Sequence, residues 1–199
     1  MKTNVIVLLI VFVSHLPSAH AENYSSLESF LSGTSAMSEA SCSNLRKLVE
    51  KYEAEGKTAE AEPIRGAIIN FCECMPTQVK TIRLTLSPNE LKAQISESDF
   101  LKRFKPKIID KCAAEQFKSV FSDGCGERLA KIYTNSDKFC NCMFSKLTEL
   151  TDTDIADIGA AAADYIPLAA EAEKKGLPHP ELSPWMKRYF AFEAGCKAE

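Results

Sequence analysis

The segment Phe71-Cys72-Glu73-Cys74-Met75 returns, with only its middle residue changed, as Phe139-Cys140-Asn141-Cys142-Met143. Each Cys-x-Cys has one cysteine before it and one after it, so a frame of four cysteines occurs twice and uses all eight in the chain. The first frame comprises Cys42, Cys72, Cys74 and Cys112, and the second comprises Cys125, Cys140, Cys142 and Cys196. A repeated cysteine frame in an exported chain indicates a disulfide framework in two tandem units.

The first 21 residues have the features of a signal peptide. Lys2 precedes an apolar run over 5–13, and Ala19-His20-Ala21 places small residues at the two positions that signal peptidase reads. The apolar run is shorter than the roughly 20 residues that a membrane-spanning helix needs. We therefore expect cleavage after Ala21, no membrane span in the mature chain, and a periplasmic or secreted protein in an oxidising compartment.

The charge of the chain is mildly negative, with 24 basic and 27 acidic side chains and a net charge of −3 at pH 7. The two signs are interspersed, whereas nucleic acids attract clustered lysine and arginine, so we expect no nucleic-acid partner. One small basic run, Lys102-Arg103-Phe104-Lys105-Pro106-Lys107, is interpreted as a solvated helix face rather than an anion site.

Apolar residues spaced three and four apart predict an all-α, disulfide-braced protein, and no segment has a convincing strand alternation. Residues 22–40 are expected to form a short helix or a loose N-terminal arm. Two helical four-cysteine units are then expected over 41–121 and 122–199. Gly56 and Gly176 are predicted to close helices, and Ser87 and Thr151 to begin them.

The pairing of the cysteines is only partly constrained by the sequence. Four cysteines in each unit allow three connectivities, and pairing within a Cys-x-Cys is disfavoured because residues two apart on a helix diverge. If three helices run up, down and up, the second member of the Cys-x-Cys lies nearer the first cysteine. This geometry predicts Cys42–Cys74, Cys72–Cys112, Cys125–Cys142 and Cys140–Cys196.

The sequence contains no convincing catalytic set, and we expect a protein that is not an enzyme. His179 is the only histidine that would remain after cleavage, and it lies between two prolines. The chain has no glycine-rich phosphate loop. We expect neither a cofactor nor a bound metal, although Cys-x-Cys thiols are a possible redox pair and eight thiolates are a possible metal site.

The candidate contact surface is the proline loop and the aromatic helix that follows it, namely Pro178, His179, Pro180, Trp185 and Tyr189. A rigid proline loop beside aromatic residues presents a defined shape at little entropic cost. The competing and favoured interpretation for Trp185 is that it packs in the core against the alanine-rich helix.

The arrangement of a cysteine, an aromatic-Cys-x-Cys and a distal cysteine resembles that of small helical proteins of the bacterial periplasm. The expected function is binding of another protein, and an inhibitor or immunity factor is one role that fits a stable exported scaffold. The alternatives are a periplasmic carrier of a small ligand or metal and, third, a Cys-x-Cys thiol-disulfide oxidoreductase.

Overall fold

The computed structural model describes residues 24–57, 61, 64–65, 68, 72–122, 124–130 and 132–197. The regular secondary structure of the described chain is helical apart from one pair of three-residue strands, which confirms the predicted all-α, disulfide-braced class. It divides into two compact units, the first ending at Cys112 and the second beginning at Ala113. The bounds 41–121 and 122–199 for the two units stay predictions, and the signal peptide lies outside the described residues.

The first unit is built on one long helix. Its elements are β1 (Tyr24–Ser26), α1 (Leu27–Ala54), α2 (Cys74–Thr85), α3 (Pro88–Lys92), β2 (Gln94–Ser96), α4 (Glu97–Lys105) and a π-helical turn (Pro106–Asp110). The main core cluster of this unit consists of Leu27, Leu31, Met75, Val79, Ile82, Phe100, Phe104, Ile108 and Cys112. Phe30 stacks on Phe100 with ring centroids 4.9 Å apart, which joins the start of α1 to α4.

The boundary expected at residue 40, between a short helix or loose arm and the first unit, does not coincide with the end of a helix. Helix α1 begins at Leu27 and continues through Gly33 and past Ser41 to Ala54. Ser26 caps the helix by accepting a hydrogen bond from Ser29 N, and Leu27 and Leu31 are buried in the core. Tertiary packing of this apolar face outweighs the weak helix propensity of the serines and glycine, so the helix does not break.

The two strands were not predicted from the sequence. β1 and β2 pair antiparallel, with Tyr24 opposite Ser96, Ser25 opposite Ile95 and Ser26 opposite Gln94. Leu27 N donates to Ala93 O at 3.0 Å and extends the pairing by one residue. Three residues are too few for a two-residue alternation to stand out from its surroundings.

Pro106 lies where an α-helix changes into a π-helical turn. It follows Lys105 at the end of α4 and begins the π-helical turn, because proline lacks the N–H that would continue the regular pattern. Asp110 in this turn is 1 % exposed, and its Oδ1 pairs with Lys105 Nζ. The ion pair compensates the burial of that carboxylate.

The second unit packs its helices around one core. Helix α5 (Lys111–Ser119) crosses the division between the units, and α6 (Cys125–Leu129), α7 (Ser136–Thr148), α8 (Asp152–Lys175) and α9 (Pro184–Lys197) follow. The buried core contains Ala114, Phe117, Phe121, Cys125, Phe139, Cys140, Met143, Leu147, Ile155, Ile158 and Cys196. Pro167 lies inside α8.

The predicted helix starts and stops are confirmed where the structure describes them. Ser87 and Thr151 each form a capping box, with Glu90 and Asp154 respectively. Gly56 has a φ of 71° after α1, and Gly176 has a φ of 64° after α8, so both adopt the left-handed conformation that glycine favours. Much of the segment between Ala61 and the first Cys-x-Cys, including Phe71, lies outside the described residues.

All four bridges lie within one frame or the other, but the predicted partners were wrong. The observed bridges are Cys42–Cys72, Cys74–Cys112, Cys125–Cys140 and Cys142–Cys196. Their Cα–Cα distances of 5.5 to 6.0 Å are typical of disulfides. The prediction placed the first cysteine of each unit at the start of one helix and the Cys-x-Cys near the top of the next, so that its second member lay nearer the first cysteine. Instead Cys42 lies in the middle of α1, and Cys125 begins α6, which has only 5 residues. The first member of each Cys-x-Cys is therefore the one that bonds to the first cysteine.

Candidate functional site

The loop between α8 and α9 is held at both ends by specific backbone contacts. At the end of α8, Gly176 turns the chain, and Leu177 N donates to Ala172 O at 2.9 Å. Residues 177–183 then have no regular secondary structure. Met186 N donates to Ser183 Oγ at 3.2 Å, which caps the start of α9. The loop is therefore anchored by a helix end on one side and a helix start on the other.

Helix α9, which follows the loop, is fixed to the second unit by a bridge and by aromatic packing. Cys196 near its end is bonded to Cys142 of α7. Trp185, Tyr189 and Phe192 are half-buried and pack against the core of this unit. Tyr189 contacts Phe117 with ring centroids 6.2 Å apart, and burial raises its pKa above the usual range.

The five residues of the predicted contact surface fall into two groups. Pro178 and His179 are exposed and Pro180 is half-buried in the loop. Trp185 and Tyr189 turn their rings toward the core, in line with the competing interpretation of the aromatic stripe. Only the loop residues are therefore freely accessible.

Exposed apolar residues of α8 and the loop were not singled out by the sequence analysis. Leu168 is 54 % exposed and Leu177 is 56 % exposed. Tyr165 Oη lies 3.5 Å from His179 Nδ1, and the Tyr165 ring meets Phe190 edge-on with centroids 5.9 Å apart. The exposure of Leu177 could have been predicted from the sequence. Leu177 directly follows Gly176, which closes α8, so its side chain is no longer part of the buried face of that helix.

These side chains lie on one side of α8. Tyr165, Leu168 and Ala172 are spaced by three and four residues, so they share one helix face. Ala172 O accepts the hydrogen bond from Leu177 N, which brings Leu177 next to the same face. We define the loop surface as Tyr165, Leu168, Leu177, Pro178 and His179.

Arg188 connects α9 to its own aromatic residues and to α8. The guanidinium of Arg188 lies 5.9 Å from the centre of the Trp185 ring and 5.8 Å from that of Phe192. Arg188 Nη1 is also 3.9 Å from Asp154 Oδ1 of α8. Together these contacts connect the exposed side of α9 with the start of α8.

The end of α9 is held by a tyrosine and an ion pair. Tyr133 Oη donates to Glu193 Oε1 at 2.7 Å, and Lys197 Nζ lies 2.7 Å from the same oxygen. Burial, followed by the neighbouring Glu193 carboxylate, raises the pKa of Tyr133 above its usual range. The Tyr133 ring also stacks on Phe139 with centroids 4.0 Å apart, so this network connects the C-terminal helix to the core.

All eight sulfurs are in disulfides, and no Cys-x-Cys is bonded internally. The two sulfurs of each Cys-x-Cys are held by different partners, so the resting arrangement contains neither a vicinal dithiol nor a thiolate ligand. Within the described ranges, no group of three or more His, Cys, Asp or Glu side chains is placed to hold a metal ion. No described helix is long and apolar enough to span a membrane.

No protein-family model, curated protein or solved structure matches this chain.

Proposed function

We propose that the protein is an exported, non-enzymatic binding protein that recognises another protein through the loop surface. The observation that carries this proposal is the exposure of Leu168 and Leu177, 54 % and 56 %, beside the exposed Pro178 and His179. Leucine side chains grouped at this exposure favour association, because burial of apolar surface is worth about 25 cal/mol per Å².

The rigidity of the loop supports the same proposal. Proline restricts the backbone at two of its positions, and contacts at Ala172 and Ser183 hold its ends. A surface that is ordered before binding loses little conformational entropy when a partner arrives. The Cys142–Cys196 bridge holds the end of α9 to α7.

The proposed location is the periplasm or the exterior of the cell. Four disulfides are compatible with an oxidising compartment, and the predicted signal peptide over 1–21 supplies a route to it. An inhibitor or immunity factor against a secreted enzyme is one form that such binding would take, since both roles need a stable scaffold with one accessible surface.

The experiment compares partner capture by the mature protein with capture by a surface variant. The double variant Leu168→Ser with Leu177→Ser removes the two exposed leucines of the loop surface. Its matched control is Leu84→Ser, because Leu84 is 79 % exposed but lies in α2 of the other unit. Circular dichroism and a count of free thiols establish that all three proteins keep their fold and their bridges.

Proteins captured from envelope extract are identified by mass spectrometry, and the purified partner is then titrated by calorimetry. We expect saturable binding that the double variant weakens at least about 10-fold and that Leu84→Ser leaves unchanged. Equal binding by the double variant, or an equal loss in Leu84→Ser, would show that the loop surface is not the binding site.

A further inference from the structure

The edge of β2 that faces away from β1 carries free backbone groups. Leu27 N bonds to Ala93 O, and in an antiparallel pair the hydrogen-bonded positions alternate along the strands. Ser25 and Ile95 are therefore a hydrogen-bonded pair, whereas Ser26 and Gln94 are not. The N–H and C=O of Gln94 point away from β1, and within the described chain they have no hydrogen-bond partner.

A cleft of about 530 Å³ opens beside this edge. It is lined by Leu27, Glu90, Ala93, Gln94, Ile95, Asp99, Lys102 and Arg103. Leu27 is buried and Ile95 is half-buried, so part of the lining is apolar, and the charged side chains are exposed. The cleft thus combines a strand edge, an apolar contact and charges, which are the three features that hold an extended peptide.

The acidic and basic side chains of the cleft differ in their hydrogen bonds and ion pairs. Glu90 Oε2 accepts hydrogen bonds from Ser87 N and Ser87 Oγ, both at 2.8 Å, and Asp99 Oδ2 accepts one from Ser96 Oγ at 2.9 Å. Both carboxylates therefore serve the caps of α3 and α4. Lys102 and Arg103 form no ion pair with any described residue, and the guanidinium of Arg103 lies 5.0 Å from the centre of the Phe104 ring.

We propose that this cleft binds an extended acidic segment of another polypeptide. The segment adds to β2 as a third strand by exchanging hydrogen bonds with the N–H and C=O of Gln94, and it places a carboxylate against Lys102 and Arg103. Main-chain bonds provide affinity in such strand addition, and the charge pair selects acidic sequences. The basic run, interpreted from the sequence as a solvated face, thereby becomes part of a binding site that is independent of the loop surface.

The experiment uses the mature, disulfide-bonded protein and three labelled peptides in fluorescence anisotropy. The first peptide alternates valine and glutamate, which favours an extended conformation with its carboxylates on one face. The second replaces glutamate with lysine. The third keeps glutamate but carries N-methyl groups on the amides that would face Gln94. We expect saturable binding of the first peptide below about 1 mM, and at least about 10-fold weaker binding of the other two.

Two variants test the protein side of the contact. Lys102→Glu with Arg103→Glu should weaken the valine–glutamate peptide at least about 10-fold. The matched control is Lys138→Glu with Lys146→Glu on α7, which changes the net charge equally but lies outside the cleft. Gln94→Pro removes the outward N–H and should also weaken binding. Ala93 already has φ −60° and ψ 136°, an extended conformation that is compatible with a following proline.

Each remaining outcome contradicts the proposal. If the acidic peptide does not bind, or if the N-methylated peptide binds equally, strand addition at Gln94 is excluded. If the α7 control loses as much binding, the effect depends on the net charge of the protein and not on Lys102 and Arg103. Concentration-dependent dimerisation that Gln94→Pro abolishes would assign the edge to a second copy of this chain. The N-methylated peptide keeps the test decisive even if Gln94→Pro fails to fold.

Discussion

At the scale of single residues, Gly126 lies against the side chain of Asp137. A Cβ at this position would overlap Asp137 Oδ1 and would lie 2.7 Å from Asp137 Cγ. Gly33 in α1 is the opposite case, because a Cβ there meets nothing within 4 Å. A side chain at 126 thus requires the exposed Asp137 carboxylate to move, whereas at 33 glycine only adds conformational freedom to the unfolded chain.

We expect Gly126→Ala to lower the free energy of unfolding by less than about 1 kcal/mol, because the exposed Asp137 carboxylate can rotate away from the added methyl group. Gly33→Ala should raise it by about 0.5 to 1 kcal/mol, because alanine favours the helix interior. Urea denaturation followed by circular dichroism measures both values. In the background of Asp137→Ala, which removes the obstructing carboxylate, Gly126→Ala should cost less. If Gly126→Ala lowers the free energy of unfolding equally in that background, the Asp137 side chain is not the source of the loss.

Tyr133 provides a residue-scale prediction about alkaline pH. Burial and Glu193 favour the neutral phenol, so the pKa of Tyr133 is higher in the folded than in the unfolded protein. Its contribution to stability is therefore complete below the unfolded pKa of about 10 and decreases as the pH rises above that value. We expect Tyr133→Phe to lower stability at neutral pH, through the lost bond to Glu193, but to reduce the further loss above pH about 10.

The measurement pairs thermal unfolding across this alkaline range with a titration of tyrosinate absorbance. Tyr133→Phe should remove one late-ionising component from the absorbance curve. Tyr52→Phe is the control, because Tyr52 lies in α1 of the other unit. If Tyr133→Phe leaves the late part of the curve unchanged, the phenol is not held neutral by its surroundings.

The residue scale also shows what the sequence could reveal about the candidate site. The proline loop with His179 was identified because its composition differs sharply from that of the helices. Leu168 and Leu177 were not identified, because the residue type alone does not show whether a leucine is exposed or buried. Their exposure depends on which side of α8 faces the core, and this is decided by contacts that the local sequence does not contain.

At the scale of helices and strands, the ends of helices were the best predicted features. Caps depend on a few neighbouring residues, so Ser87 with Glu90 and Thr151 with Asp154 could be recognised without knowing the fold. The β1–β2 pair could not be recognised in the sequence, because it joins residues far apart in the chain and each strand has only three residues. The continuity of α1 was also missed, since it depends on burial of Leu27 and Leu31 rather than on helix propensity.

The cap of α8 supports a prediction at this scale. Thr151 Oγ1 accepts a hydrogen bond from Asp154 N at 3.1 Å, and Asp154 Oδ2 accepts one from Thr151 N at 3.4 Å. We expect Thr151→Ala to lower the free energy of unfolding by about 1 kcal/mol. Thr151→Ser should keep most of the stabilisation that the cap provides, because serine also has a hydroxyl group. Thr148→Ala is the control, because the Thr148 hydroxyl donates only to Ser145 O within α7. Thermal denaturation should separate the two alanine variants, and equal effects would argue against the capping box.

At the scale of the whole molecule, the two cysteine frames are bridged in the same way. In each frame the first cysteine bonds to the first member of the Cys-x-Cys, and the second member bonds to the distal cysteine. Cys140 and Cys142 lie two positions apart on α7 and point in diverging directions, whereas Cys72 precedes α2 and Cys74 is its first residue. Each Cys-x-Cys is therefore bonded to two different helices. The sequence predicted this division of partners but not which sulfur takes which, because that depends on where each helix begins.

The last prediction tests the connectivity and the energetics of the bridges together. Removal of Cys142–Cys196, with a sequence separation of 54, should cost about 4 kcal/mol by chain entropy, whereas Cys125–Cys140, with a separation of 15, should cost about 3 kcal/mol. The variants Cys142→Ala with Cys196→Ala and Cys125→Ala with Cys140→Ala should each contain no free thiol, and the first should unfold at a lower urea concentration.

The pair Cys140→Ala with Cys196→Ala, which removes one sulfur from each of the two bridges, should leave Cys125 and Cys142 without their partners. This variant should therefore react with an alkylating reagent or form wrong bridges, and it should be less stable than either matched pair, because it loses both cross-links. Peptide mapping of the unreduced wild-type protein checks the connectivity directly. A fragment that joins Cys140 to Cys196 would contradict it and would restore the pairing predicted from the sequence.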